Sequence, residues 1–285
     1  MCLIALAWRQ HPRWPLVIAA NRDEFHARPT AGATPDPDAP EVYGGRDLLQ
    51  GGGWLQVSAR GRLAAVTNVR DGHATGAYPR SRGWLVRDFV RGDLSAAACA
   101  AGPAAAGGHG PFNALFWDGA SLVHASNHPG TGHAAVAPGI HAMSNGAFDA
   151  PWPKSMAATR ALDDWLRSTV GLVDPPRTID AFEPLFGALA DTTVAPDAVL
   201  PDTGVGLELE RMLSPPFVRG EAYGTRCSTL VVVAPAGVVF VERRFGPPDR
   251  VLGDSLAFVP LDPALRANWP GSAAVRCAPG PAPIR

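Results

Sequence analysis

Cys2-Leu-Ile-Ala-Leu-Ala-Trp8 is an apolar run, and a proline-containing turn separates it from a second one, Pro15-Leu-Val-Ile-Ala-Ala20. Two short apolar runs joined by a turn predict a buried β-hairpin. The second run ends at Asn21-Arg-Asp-Glu24, where the sequence changes sharply from apolar to ionisable. In an antiparallel hairpin, the end of the second strand lies beside the start of the first. We therefore expect Asp23 to lie close to Cys2.

Further hairpins recur along the chain. Apolar runs separated by short turns predict strand pairs at 54–58 with 62–68, 112–117 with 121–126, and 226–234 with 237–243. Helical patterns are fewer, at 82–90, 94–101, 152–169 and 179–190. Two segments, 30–53 and 191–222, are predicted to be long loops. The pattern favours antiparallel sheets over a βαβ nucleotide-binding fold. We expect one domain over residues 1–276 and an extended tail over 277–285.

Composition excludes several classes of protein. A formal net charge of -1 provides no excess of positive charge for nucleic-acid phosphates. No apolar stretch approaches the roughly 20 residues that span a bilayer, and the start of the chain does not resemble a signal peptide. Four cysteines without close spacing predict neither a metal motif nor a disulfide framework. We expect a cytoplasmic protein with a small-molecule substrate or ligand; its oligomeric state is not indicated.

Cys2 would carry both a thiol and a free α-amino group if Met1 were removed. The amine, with a usual pKa of about 7.7–8, acts as a base near neutral pH, and the thiol, with one of about 8.5, is easily activated. A neighbouring Asp holds an α-ammonium through a charge-assisted hydrogen bond. Cys2 and Asp23 are therefore candidate catalytic residues. The candidate substrate contacts are Asn21, Arg22 and Glu24, with a solvated turn as the alternative interpretation.

Asn68 and Asn145 each follow an apolar strand. A side-chain amide at such a position can donate to an oxyanion, although it can equally cap a turn. Arg226, at the start of the last hairpin, could compensate a buried carboxylate such as Asp23, bind an anionic substrate group, or form a structural salt bridge. We include all three residues in the candidate site.

Five histidines lie between residues 109 and 141, but their spacing fits no zinc signature. No metal site is predicted, and a haem-ligating histidine is the alternative. Gly51 to Gly53 lack the Gly-Lys-Ser/Thr sequence of a phosphate-binding loop. They predict a close backbone approach beneath Trp54.

The sequence resembles the NRDE-motif family, of the transport and Golgi organisation protein 2 type. The resemblance spans nearly the whole chain in order. Its motifs are Met1-Cys2, the NRDEF run at 21–25 with Arg28-Pro29, Gly52-Gly-Trp-Leu55, Leu63-Ala-Ala-Val-Thr-Asn68, Ser81-Arg-Gly83, Phe112-Asn113, Ser144-Asn145, Pro151-Trp-Pro-Lys154, Leu200-Pro201, Tyr223-Gly-Thr-Arg226 and Ser228-Thr229.

More distantly, Cys2, Asn21-Arg-Asp23, Asn68 and Ser144-Asn145 look like the active-site pattern of choloylglycine hydrolases and penicillin V acylases. That resemblance implies an α+β fold of the N-terminal-nucleophile hydrolase type, with two stacked antiparallel sheets between helices in four αββα layers. It implies that Cys2 is nucleophile and base, that Asp23 orients its amine, that Asn68 is an oxyanion donor and that Asn145 is a second polar contact.

Two positions depart from the hydrolase pattern. Ala20 stands where those enzymes have an arginine, and their later catalytic arginine has two candidate counterparts, Arg219 and Arg226. The NRDE-motif resemblance is itself linked to haem trafficking and to lipid or acyl-CoA handling. Two hypotheses therefore stay open. The first is a cysteine hydrolase, or acyltransferase, that acts on an amide or acyl bond without a cofactor. The second is a non-catalytic protein that binds haem or acyl-CoA in the same cleft.

Overall fold

The first of two antiparallel sheets contains the hairpin that opens the chain. The computed structural model describes residues 2–74, 76 and 78–262, with the backbone alone at Cys2. This sheet has six strands in the order β10-β1-β2-β11-β12-β13. They are β1 Cys2–Trp8, β2 Leu16–Phe25, β10 Gly139–Met143, β11 Tyr223–Ala234, β12 Gly237–Gly246 and β13 Arg250–Pro260.

The second sheet is a seven-stranded meander in which each strand pairs with the next along the chain. Its strands are β3 Thr30–Pro35, β4 Val42–Asp47, β5 Gly53–Ser58, β6 Arg62–Asn68, β7 Phe112–Trp117, β8 Leu122–Ser126 and β9 Gly132–Ala135. Three of the four predicted hairpins are formed largely at the expected residues because each short turn fixes the pairing of its flanking strands. The first is formed as well, but β2 continues through Asn21-Arg-Asp-Glu24 to Phe25.

Helices cover the outer faces of both sheets. They are α1 Arg82–Arg91, α2 Ala96–Ala101, α3 Pro153–Thr169 and α4 Glu183–Leu189. A fifth, short helix, α5 Leu207–Met212, lies in the segment that leads to β11. One buried cluster lies between the sheets and includes Ile18 and Leu115. A second joins α3 and α4 to the first sheet, and a third joins α1 and α2 to the second sheet. The predicted αββα layering, with two stacked antiparallel sheets between helices, is confirmed.

Both long loops were predicted wrongly in part. Residues 30–53 contain the strands β3 and β4, which form one edge of the second sheet. Their glycines and prolines are tolerated because β3 pairs on one side alone and the pairing is interrupted by bulges. Residues 191–222 contain the short helix α5. The predicted tail at 277–285 lies outside the described residues.

Candidate functional site

The site lies where the ends of β1, β2 and β11 meet. Cys2 pairs with Arg22, and Thr225 pairs with Asp23, so the backbone of the candidate nucleophile lies next to the candidate orienting carboxylate. The predicted approach of the two strand ends is thus present in the register. The side chain of Cys2 and all of Met1 lie outside the described residues, and the nucleophile therefore stays a prediction.

Asp23 is a buried carboxylate. Its Oδ1 accepts a hydrogen bond of 2.6 Å from the Thr225 hydroxyl. Burial raises the pKa of Asp23 because the charged form loses its hydration, while Lys154, the Thr225 hydroxyl and Arg22 each oppose that rise. Burial therefore strengthens the electrostatic interactions of the Asp23 carboxylate, and Lys154, Thr225 and Arg22 stabilise its charge.

Asn145 connects two sides of the site. Its side-chain Nδ2 donates to the backbone oxygen of Asn68 at 2.8 Å, and its Oδ1 accepts from Lys154 Nζ at 3.3 Å. The pairing of β1 with β10 ends with Ile4 opposite Met143, and Asn145 follows two residues after that pair. Asn145 is fully buried and Asn68 is half-buried at the end of β6. The structure therefore brings the two predicted asparagines into contact just beyond the end of β10.

Polar contacts hold the loop that carries Asn145. The Thr67 hydroxyl donates to the Ser144 oxygen at 2.6 Å, and Asn113 Nδ2 donates to the Gly146 oxygen at 2.7 Å. The Asn113 side-chain oxygen lies 3.1 Å from His124 Nε2. Because that oxygen can only accept, the His124 nitrogen must carry hydrogen. Burial lowers the pKa of His124 to about 4, so the ring is neutral near pH 7.

Asn21, a predicted substrate contact, is bonded to other segments of the fold. Its Nδ2 donates to the backbone oxygens of Leu189 and Pro216 at 2.8 and 2.9 Å, and its Oδ1 accepts from the Ser228 hydroxyl at 2.6 Å. Successive side chains of a strand point to opposite faces. Asn21 therefore ties β2 to the segments around α4, while Arg22 next to it lines the cleft.

For Arg226, pairing with Asp23 was one of three predicted alternatives, and no such bond is seen among the contacts of its guanidinium. Its Nη1 donates instead to the backbone oxygens of Phe25 and Arg28, at 2.8 and 3.3 Å. The register between β2 and β11 shifts at this point, so that Arg226 is the extra residue of a β-bulge. The bulge re-aims its side chain. The other candidate, Arg219, forms an exposed ion pair with Asp249.

A cleft of ≈ 240 Å³ opens beside these residues. Its lining includes Asp23 and Asn68 together with the predicted contacts Arg22 and Glu24. Three further arginines line it: Arg28, Arg80 and Arg82. Arg28 is neutralised by an ion pair with Asp47 at 2.6 Å, and Arg22 lies 3.7 Å from Glu24. With four arginines and three carboxylates in its lining, the cleft suits a ligand that bears negative charge.

Two glycine contacts shape the cleft wall. The Arg22 guanidinium stacks over the Trp54 ring at 4.2 Å, and that ring lies so close to Gly45 that a Cβ there would be 1.9 Å from it. Gly52 approaches the backbone of Gly83, at the start of α1, where a Cβ would be 2.5 Å from the Gly83 carbonyl carbon. The close approach predicted for Gly51 to Gly53 is therefore made with α1, and the glycine against Trp54 is Gly45.

Two contributors to the site were missed at the sequence level: Thr225 and Lys154. Lys154 is the only lysine of the chain, and it ends the motif Pro151-Trp-Pro-Lys154 that carries part of the family resemblance. The sequence signal for Lys154 as a site residue is that this single lysine directly follows a proline at the start of a helix. Within the part of the chain that the structure describes, no three His, Cys, Asp or Glu side chains form a group able to hold a metal ion.

The fold and site define an αββα protein with a buried polar centre at one end of its first sheet. The chain belongs to the Transport and Golgi organisation 2 family, whose model matches residues 1–247. It is 30% identical to the Transport and Golgi organization protein 2 homolog of Bos taurus over 264 residues, covering 85% of this chain and 92% of that protein. The homolog of Homo sapiens is 29% identical over the same coverage.

Two solved structures are similar to this chain. One is a Caenorhabditis elegans N-acylethanolamine-hydrolyzing acid amidase ortholog, with a TM-score of 0.48 and 12% identity over 81% of this chain and 92% of that one. The other is the mutant C2A conjugated bile acid hydrolase from Clostridium perfringens, with a TM-score of 0.49 and 7% identity over 90% and 92%. Among the described residues, no helix has the length and apolar character needed to cross a membrane.

Proposed function

We propose that this protein is a cysteine hydrolase of the N-terminal-nucleophile type that cleaves an amide or acyl bond of a small molecule. The proposal is supported by two observations: Asp23 directly follows Arg22, which pairs with position 2, and the Asn145 side chain is bonded to Asn68. A carboxylate to orient an amine and amides to meet an oxyanion are the groups that a terminal cysteine requires. A cytoplasmic location, where thiols stay reduced, suits this chemistry.

The reaction begins once Met1 has been removed. The α-amine of Cys2 accepts the thiol proton, and the thiolate attacks the carbonyl carbon of the substrate. The oxyanion accepts hydrogen bonds from the Asn68 amide and a backbone N–H. As the C–N bond breaks, the leaving amine takes the proton from the α-ammonium, and a thioester remains on sulfur. Water then attacks the thioester and gives a proton to the α-amine; the C–S bond breaks, the acid is released, and the α-ammonium returns the proton to the Cys2 sulfur. An amine in place of water would give acyl transfer.

Turnover of amide, thioester and lactam probes tests the proposal. Intact-mass measurement of the active protein should show loss of Met1. Cys2→Ala and Cys2→Ser should abolish turnover and leave the melting temperature unchanged. Cys99→Ala is the matched control because Cys99 is buried, and burial raises the pKa of its thiol to about 11. Full turnover by both Cys2 variants, or a retained Met1 in active protein, would refute the proposal.

A second candidate function is binding without chemistry, which the arginine-lined cleft favours. The relatives are named for transport and Golgi organisation, and the phosphates of an acyl-CoA would suit Arg22, Arg80 and Arg82. Haem propionates would suit the same arginines, but the described residues lining this cleft include no histidine to ligate the iron. Saturable binding of acyl-CoA by a protein that turns over no probe would select this candidate, and a Soret shift would select haem.

A further inference from the structure

Lys154 is an ammonium enclosed by the protein. It is 2% exposed in the first turn of α3. A lysine that is almost completely buried is rare because burial removes the hydration of its charge, and it requires polar partners in compensation. Its Nζ donates to Asn145 Oδ1 at 3.3 Å and to the backbone oxygen of Leu213 at 3.1 Å. One of its partners is therefore a residue of the candidate site itself.

The Lys154 ammonium acts on two groups of the site, Asp23 and Asn145. Its electrostatic attraction favours the charged form of the buried Asp23 carboxyl, and Arg22 acts on Asp23 in the same direction. Its hydrogen bond to Asn145 Oδ1 leaves the Nδ2 side of that amide directed at Asn68. Because an amide NH₂ carries two hydrogens, Asn145 can serve a second acceptor while it keeps this bond.

We propose that Lys154 is a positioning residue: its buried ammonium fixes the Asn145 amide and places a positive charge at the end of the sheet that carries Asp23. The consequence for turnover rests on the proposed hydrolase function, but the ionic coupling of Lys154 to Asp23 does not. The two can therefore fail separately. The nearby Asn-Arg-Asp-Glu segment supplies the carboxylate, and α3 supplies the cation from a different layer of the fold.

The coupling can be measured directly because the chain has a single lysine. Protein made with isotope-labelled lysine gives one side-chain NMR signal, which is followed against pH in the wild type and in Asp23→Asn. Asparagine preserves the shape and can still accept from Thr225, so folding is expected to persist. Coupling between two sites is reciprocal. Loss of the opposite charge should lower the titration midpoint of Lys154.

Glu24→Gln is the matched control, since Glu24 lies in the same strand and forms its ion pairs with Arg22 and Arg28. The Lys154 midpoint should be the same in this variant and in the wild type. An unchanged midpoint in Asp23→Asn would overturn the proposal, and so would an equal shift in Glu24→Gln.

The activity measurement uses Lys154→Met, Lys154→Arg and the exposed Arg160→Met on the same helix. In Lys154→Met, kcat at neutral pH should fall about tenfold, KM should change little, and the acidic limb of the pH profile should move up by about one unit. Lys154→Arg should recover most of the loss, and Arg160→Met should match the wild type. A folded Lys154→Met with an unchanged pH profile would overturn the proposal. An inactive wild type would refute the hydrolase alone, because the NMR midpoint still decides the coupling.

Discussion

The buried ion pair between Arg70 and Glu210 provides a sharp test of how α5 is held against the site. Arg70 Nη1 and Glu210 Oε2 lie 2.6 Å apart, and the two side chains are 4% and 3% exposed. Glu210 Oε1 also accepts from the backbone N–H and the hydroxyl of Thr203, at 2.9 and 2.6 Å. The backbone N–H of Arg70 donates to the backbone oxygen of Asn145 at 2.7 Å. The perturbation is Glu210→Gln, which keeps the shape and removes the charge.

The expected loss follows from what remains buried. Removing one partner of a buried ion pair costs about 3–5 kcal/mol because the other charge is left without compensation. Burial already lowers the pKa of Arg70, and Glu210 is the main group that opposes this effect. Glutamine can still accept from Thr203, so we expect the lower end, about 3 kcal/mol. For a domain of this size the melting temperature should fall by roughly 6–12 °C.

Thermal melts followed by circular dichroism measure this fall, and the same helix offers a control. Arg211 pairs with Asp197 and Glu208 on the exposed face of α5. Exposed pairs contribute little to stability, so Arg211→Gln should melt close to the wild type. The double variant Arg70→Met/Glu210→Leu should recover much of the loss, since neither charge is then left alone. A Glu210→Gln melting temperature within about 2 °C of the wild type would refute this account of the pair.

Two further predictions concern His124 and Gly45. The folded pKa of His124, about 4, lies below its usual 6.5, so the unfolded chain binds the proton more readily as the pH falls between these values. The free energy of unfolding should drop over that window by up to about 3 kcal/mol, and His124→Gln should remove this part of the pH dependence in denaturant titrations. Gly45→Ala should destabilise by about 1–3 kcal/mol and alter tryptophan fluorescence by displacing Trp54; Gly130→Ala, with open space around its Cβ, should do neither.

Local pattern was sufficient where neighbouring residues decide the structure. The first hairpin could be predicted because two apolar runs flank one turn, and its register then placed Asp23 beside position 2. β3 and β4 could not be predicted in this way, because their glycines and prolines suit an edge strand as well as a loop. What selects the strand is pairing with a partner, β5, that lies outside the segment. The same limit applies to Lys154, whose contact with Asn145 depends on how α3 packs.

The side chains of the Asn21 to Glu24 segment are divided between the two faces of β2. Since the side chains of a strand alternate between faces, four consecutive polar residues cannot all face one ligand. Asn21 bonds to residues near α4, and Asp23 bonds to Thr225 and is acted on by Lys154 of α3. Arg22 stacks on Trp54, and Glu24 lies near Arg28. Because β2 pairs with β1 on one side and with β11 on the other, its backbone is fixed, and a motif continuous in sequence becomes two separate surfaces. On one surface Asn21 and Asp23 are bonded to neighbouring segments, and Asp23 also reaches the cleft lining; on the other surface Arg22 and Glu24 face the ligand cleft.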